Sequence, residues 1–568
     1  MGTAEFDLIV RGGTVLDGSG GPGRTADVAV SGGIVVAVGQ VDGSATRVID
    51  ADGALVTPGF VDIHTHYDGQ ATWDSSLAPS STHGVTTVVM GNCGVGFAPV
   101  RVADRDRLIE LMEGVEDIPG AALHEGLSWQ WESFAEYLDE IDRRPHDIDV
   151  AAQVPHGALR LYVMGERGAN SEPATQAEIE VMGRLAADAV VAGALGFTTS
   201  RTLNHRTSRG EPTPTLTAAR DELVGIAAAI GRTGAGVLQV VSDLVDFDDE
   251  LETLRLMMSV SGRPLSVSLA QSARNAGQYR RLLDALTAAN ADGLTMRAQV
   301  AARAIGVLVG LQATVNPLRG CPTFKLLRGL ALPEMVAELS RSDVRAAIIA
   351  EYPQHCLALV GDASRMFVLG SRPDYEPAAD ASVAAMASRA GCAPEEMLYD
   401  LLVADGGTSL LYVPILNYVD GNLDVVGEML AHPHAVPGLS DGGAHVGTIC
   451  DGSFPTTLLA HWGRDRTRGP RFDLAWLVSR QSRATAEAVG LLDRGLLAPG
   501  YRADINVIDF DRLQLHAPQL SFDLPAGGKR FLQGVDGYRH TFVAGVETYA
   551  EGYPTGALPG RLVRGSTS

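Results

Sequence analysis

The chain has 568 residues, with 45 basic against 68 acidic side chains and a net charge of −23. An acidic balance of that size excludes a general nucleic-acid binder, which needs basic groups to neutralise phosphates. Hydrophobic residues make up 45% of the chain and charged ones only 20%, so wholesale disorder is excluded and a large buried core is expected.

The first residues, 1–7, carry no basic stretch and lead into no apolar run of signal-peptide length. Short β-like runs follow at 8–10, 14–16, 27–30, 34–38 and 54–56, punctuated by glycine turns; they predict a small antiparallel sheet. After Pro58 the texture changes to buried apolar runs at 59–63, 86–90, 150–154, 193–198, 236–241, 265–269, 293–297 and 436–439. Helical segments such as 218–231, with apolar residues near a 3.6 period, separate them. Eight such runs predict an α/β fold, a (β/α)8 barrel of the TIM type over 58–489. Between the seventh and eighth runs lies an inserted lid or subdomain, about 321–433, with helical stretches at 332–341, 379–390 and 394–404. Short strands at 503–508 and 541–546 then predict that 490–568 pairs with 1–57 in one small β-sandwich, and the tail from Gly552 is expected to be poorly ordered. The longest uncharged apolar run, 304–315, has the length of a core segment rather than a membrane span. A soluble, cytoplasmic protein with no membrane partner is expected, with room for a homo-oligomer.

Five cysteines, odd in number and widely spaced, argue against a disulfide framework. An important one among them should be a ligand or a reactive thiol. The sharpest motif is Pro58-Gly59-Phe60-Val61-Asp62-Ile63-His64-Thr65-His66. Residues two apart on a strand share a face, so His64 and His66 emerge side by side at a strand's C-terminal end, where barrel active sites lie. Two neutral imidazoles there suit Zn²⁺ or a similar ion. Cys93 follows an apolar strand and precedes a glycine, and its thiolate would be a soft zinc ligand. Asp441 ends the eighth strand candidate, where a carboxylate can take a proton from an attacking water and pass it to a leaving amine.

Several stretches resemble the amidohydrolase superfamily, and within it the N-acyl-D-amino-acid deacylase (D-aminoacylase) branch. They are residues 58–66, His83 to Gly94, Pro155 to Arg160, Gly193 to Phe197, Ser440 to His445 and Pro499 to Asp504. The resemblance implies a metal-bearing barrel, a composite β-sandwich from both termini, and hydrolysis of a small-molecule amide by a metal-activated water. It assigns His64, His66, Cys93 and Asp441 to the metal centre, with Asp441 also the general acid and base. Many relatives bridge two metals with a carboxylated lysine on the fourth strand; this chain has only Lys325 and Lys529, neither near that strand. The family's metal-binding histidines of strands five and six are replaced by Gln239 and Leu269 or their neighbours. One Zn²⁺ is therefore favoured over two, with Gln239 or His205 as candidate replacements. The tyrosine and arginine that the deacylases use to hold a substrate carboxylate have no evident counterparts. His156, Arg160, His205, Gln239 and His445 are the candidate substrate contacts. Two other readings are weighed against the metal-dependent hydrolase of C–N bonds. Gly438-Leu439-Ser440-Asp441-Gly442 matches the Gly-x-Ser-x-Gly elbow and would make Ser440 a nucleophile; alternatively, the chain is a noncatalytic scaffold that kept the fold and lost ligands.

Overall fold

The computed structural model describes residues 4–565. Its centre is a ring of eight parallel strands. The first three, Phe60–Asp62, Val85–Met90 and Asp149–Ala152, pair in that order. The third continues as Val154–Pro155 beside Gly196–Arg201, followed by Val237–Ser242, Leu265–Leu269, Met296–Val300 and Ala435–Pro437. The eighth strand's continuation returns to the first: Asp441 N donates to His64 O at 3.1 Å, and His66 N to Gly442 O at 2.8 Å. All eight therefore end on one side, where the residues following them meet. The seventh strand starts three residues later than its apolar run suggests, because Gly293 (φ 81) and the turn before it belong to the preceding helix end.

Helices cover the outside, as the parallel connections require. Gln176–Ala192 is representative: Thr175 and Glu178 cap each other reciprocally, and the helix stops at Gly193 (φ 118), where a left-handed backbone favours glycine. It buries Ile179, Met182, Gly183, Ala186 and Val190, the stripe expected of one helical face. Gly183 lets the next helix, Arg220–Gly231, come close, since a Cβ there would lie 2.9 Å from that of Ala229. Among the described residues no helix is long and apolar enough to cross a membrane.

The two ends of the chain form one nine-stranded sheet in which Leu55–Pro58 pairs with Ile505–Ile508. It is mixed rather than antiparallel, because Phe6–Val15 also runs parallel to Ala45–Asp50 and to Leu55–Pro58. The C-terminal part does not stay in this sheet. Gln514–Leu524 and Gly528–Asp536 form a separate hairpin that reaches the ring's C-terminal side, where Phe531 N donates to Val446 O at 2.7 Å. The inserted unit begins before 321: Ile305–Val309 pairs with Leu410–Leu416, which also pairs with Phe367–Leu369, over a core of its own. The expectation of a loose tail from Gly552 is corrected as well. Arg561 N donates to Asp149 Oδ1 and Val563 N to Val150 O, so the chain end is tied to the third strand.

Asp149 joins the ring to the terminal sheet. Fully buried, it accepts from Arg494 Nη1 at 2.7 Å and Arg502 Nη2 at 2.9 Å. Asp149→Ala would deprive two buried guanidiniums of a shared carboxylate, leaving Arg494 with Asp493 and the Thr87 hydroxyl and Arg502 with Asp504. We expect a loss of about 3–5 kcal/mol in a urea titration, the usual cost of removing one partner of a buried pair. A loss below about 1 kcal/mol would mean that Asp493 and Asp504 suffice.

Candidate metal centre

The first strand delivers His64 and His66 to the C-terminal side of the ring, both about 1% exposed. Cys93 reaches them from a tight turn, Asn92–Gly94, after the second strand. Gly91 is required before it, since a Cβ there would lie 2.2 Å from Gln153 O. Asn92 Nδ2 fixes the turn by donating to Thr65 O and Val89 O. Asp441 comes from the turn after the eighth strand. Cys93 (φ 55), Asp441 (φ 49) and nearby His445 (φ 49) all adopt left-handed backbone. Such strain costs on the order of 1–3 kcal/mol per residue and collects at functional sites.

The donor atoms converge. His64 Nε2 lies 3.3 Å from Cys93 Sγ and 3.3 Å from Asp441 Oδ1, and His66 Nε2 is 3.5 Å from the same oxygen. Donor atoms of His64, His66 and Cys93 all fall within 4.8 Å of one another, a set able to hold a metal ion. Both ring nitrogens of His66 and Oδ1 of Asp441 are buried without a hydrogen-bond partner among the described residues, which buried polar atoms avoid unless something else satisfies them. Electrostatics agree with this fit. Burial first, then the charges of Glu116, Asp441 and Asp68, push the Cys93 thiol well up; burial and the same two aspartates push up Glu116. Burial works against the charged form of Asp441, yet the close His66 ring and the neighbouring imidazoles of His64 and His445 hold its carboxyl below the usual range. A cation would supply the countercharge this acidic cluster lacks. A soft thiol, two imidazoles and a carboxylate suit Zn²⁺.

Two side chains that sequence reasoning missed support the imidazoles. Gln299, on the seventh strand, places Oε1 2.6 Å from His64 Nδ1 and donates from Nε2 to Ser266 Oγ. Glu116, at the end of helix Arg105–Glu116, stands 3.4 Å from His66 Nδ1 and 3.5 Å from His445 Nε2. Its signal was present: Leu108, Met112 and Glu116 are spaced four apart, which places a carboxylate on the buried stripe of an amphipathic helix. The Gln299 contact fixes the tautomer and orientation of the His64 ring, while Glu116 sets a carboxylate beside His66 and His445.

The other candidates divide. His205 bonds Ser200 Oγ through Nδ1 at 2.8 Å and lies within the electrostatic reach of His445, His66 and Asp441. Gln239, on the fifth strand, is buried, with Nε2 3.4 Å from Ser268 Oγ and Oε1 without a partner among the described residues. Leu269 is buried and apolar. His156 and Arg160 are corrections. His156 is bonded at both nitrogens, to Thr199 Oγ1 and to Glu222 Oε1, each at 2.8 Å. Arg160 is fully buried against the same Glu222. This is an internal ion network; neither residue is free for a substrate. Ser440 is corrected too, because its hydroxyl donates to the buried carboxylate of Asp62 at 2.5 Å and no imidazole is placed to activate it.

A cluster of metal-capable donors at the C-terminal ends of a ring of parallel strands lies where barrel enzymes carry their active sites. The chain belongs to the amidohydrolase family, whose profile matches residues 47–549, and to its D-aminoacylase-like branch; it is an amidohydrolase acting on carbon–nitrogen bonds other than peptide bonds. It is similar to the N-acyl-D-glutamate deacylase of Alcaligenes xylosoxydans xylosoxydans, 28% identical over 574 residues that cover 99% of this chain and 98% of that protein. D-aminoacylase of the same organism is 38% identical over 195 residues, 34% of this chain and 37% of that one. A crystal structure of D-aminoacylase superposes with a TM-score of 0.64 at 25% identity, covering 98% of this chain and all of the other. Another D-aminoacylase structure, described as having a binuclear metal centre, gives 0.65 at 25% identity with the same coverage.

Proposed function

We propose that the protein hydrolyses the C–N bond of an N-acylated or otherwise amide-containing small molecule at the cluster His64, His66, Cys93 and Asp441, with one Zn²⁺ as the favoured occupancy. The catalytic unit is a (β/α)8 barrel over 58–489, interrupted by the inserted unit and flanked by the nine-stranded sheet to which both ends of the chain contribute. The observation that carries this reading is the convergence of Asp441 Oδ1 on both imidazoles at 3.3 and 3.5 Å, with that oxygen otherwise unpartnered.

The ion would be held by the two imidazoles, the thiolate and Asp441, and when bound it would polarise the amide carbonyl and acidify water at the site. Gln299 and Glu116 keep the imidazoles in place. Asp441 takes the proton from the attacking water as the C–O bond forms; it returns that proton to the nitrogen as the C–N bond breaks, leaving a carboxylic acid and an amine. The second ion of the binuclear relative has poor support here, since Gln239 offers one amide oxygen and Leu269 none.

A neutral amide is the favoured substrate class. The arginines that could replace a carboxylate anchor are already engaged: Arg160 pairs with Glu222, and Arg201 with Glu250 at 2.6 Å. Arg297 stands near the opposite end of its strand. The wall beyond Asp441 includes Val446, Ile449 and Phe531, while Arg530 there pairs with Asp523 at 2.8 Å. A site not built to pair a carboxylate disfavours burying one. In side-by-side assays we expect neutral N-acyl amides to be turned over at least about tenfold faster, in kcat/KM, than N-acetyl-D-methionine, a difference of about 1.4 kcal/mol. Efficient cleavage of N-acetyl-D-methionine with neutral analogues untouched would contradict this and point to Lys529, which reaches the inserted unit by donating to Gln312 O.

A further inference from the structure

At the other end of the ring, away from the metal cluster, lies a group of basic side chains that the hydrolysis does not use. Arg297 is the second residue of the seventh strand. Alternation puts it on the same face as Gln299, which points into the ring toward His64. His434 stands beside it at the turn that leads into the eighth strand, its backbone carbonyl accepting from Ala298 N at 3.0 Å. The His434 and His432 rings lie 5.6 Å apart. Arg480 begins the turn Arg480–Ala484, which sits under the first strand, with Gln481 Nε2 donating to Val61 O at 3.3 Å.

Neither arginine makes an ion pair among the described residues. Arg480 Nε and Nη2 are buried and have no hydrogen-bond partner among the described residues, and the guanidinium lies 5.4 Å from the ring centre of Trp476. Burial first, then the charge of Arg297, lowers Arg480 to about 10, which leaves it protonated at neutral pH. Glu487, the carboxylate acting on Arg297, is already paired with Arg483 at 2.7 Å. Both arginines remain partly open to solvent. In a chain whose net charge is −23, two guanidiniums with no ion pair of their own among the described residues are out of keeping with the rest of the molecule.

We propose that Arg297, Arg480 and His434 form a binding site for a small oxyanion, a phosphate or carboxylate group, at the N-terminal end of the strand ring. The planar guanidinium fork matches either group in paired hydrogen bonds, and a bound anion would satisfy the partnerless donors of Arg480.

The test is calorimetric titration of the full chain with inorganic phosphate, and separately with succinate, at an ionic strength fixed with sodium chloride. One saturable site is expected, and whichever anion binds identifies the group. Arg480→Gln and Arg297→Gln should each weaken it about tenfold or more. His64→Ala with His66→Ala should leave it intact, which separates this site from the metal cluster. If a glutamine variant does not fold, the lysine variant, which keeps the charge and loses the fork, should still weaken binding. No saturable uptake of either anion, unchanged affinity in the arginine variants, or loss of binding in the double histidine variant would overturn the proposal.

Discussion

Asp441→Asn is expected to lower kcat by about 10² or more, because it removes the one group placed to move a proton between water and the leaving nitrogen. Asparagine keeps the shape of the side chain and its left-handed turn, φ 49, is one that asparagine tolerates, so the loss would report chemistry rather than folding. Ser440→Ala is the matched control. Its hydroxyl holds Asp62 and the carbonyl of His64 at 2.5 and 3.0 Å, so the variant should lose some stability and keep substantial turnover. Steady-state kinetics of the two variants decide the matter: the reverse ranking, or covalent capture of Ser440 by a serine-directed reagent, would restore the nucleophile elbow.

The second large effect concerns the ion. Replacing His64 and His66 together by alanine should abolish divalent-ion binding, measured by competition with a chromophoric chelator, and with it all C–N hydrolysis. The pair supplies two of the four donors from a single strand, and a thiolate and a carboxylate on two separate turns cannot enforce a tetrahedral site by themselves. Retained tight binding in the double variant would mean that Glu116, His205 and His445 hold the ion instead.

Much of this was legible in the chain itself, for physical reasons. Leu265–Leu269 coincides with its expected span because Leu265, Val267 and Leu269 recur at the two-residue period of a strand and are buried, with half-buried serines between them. His64 and His66 announce themselves because a two-residue spacing on a strand admits one geometry. What was hidden depends on tertiary approach. Glu222 lies on the buried face of its helix and claims both His156 and Arg160, and nothing local in Pro155 to Arg160 shows that an acid arrives from sixty residues away. Gln299 has the same character: its role exists only because the seventh strand stands beside the first across the ring. The chain end was misjudged because glycine and proline after Gly552 look like loose tail, while the pairing of Val563 with the third strand is a long-range contact.

The central claim, C–N hydrolysis at a metal held by His64, His66, Cys93 and Asp441, is tested most directly by elemental analysis of protein purified from zinc-supplemented cells, with amide hydrolysis assayed on the same sample before and after chelation. The account predicts between one and two transition-metal ions per chain, nearer one, with activity lost on chelation and regained on adding Zn²⁺. Protein free of transition metal that hydrolyses amides at an unchanged rate in the presence of chelator would contradict it.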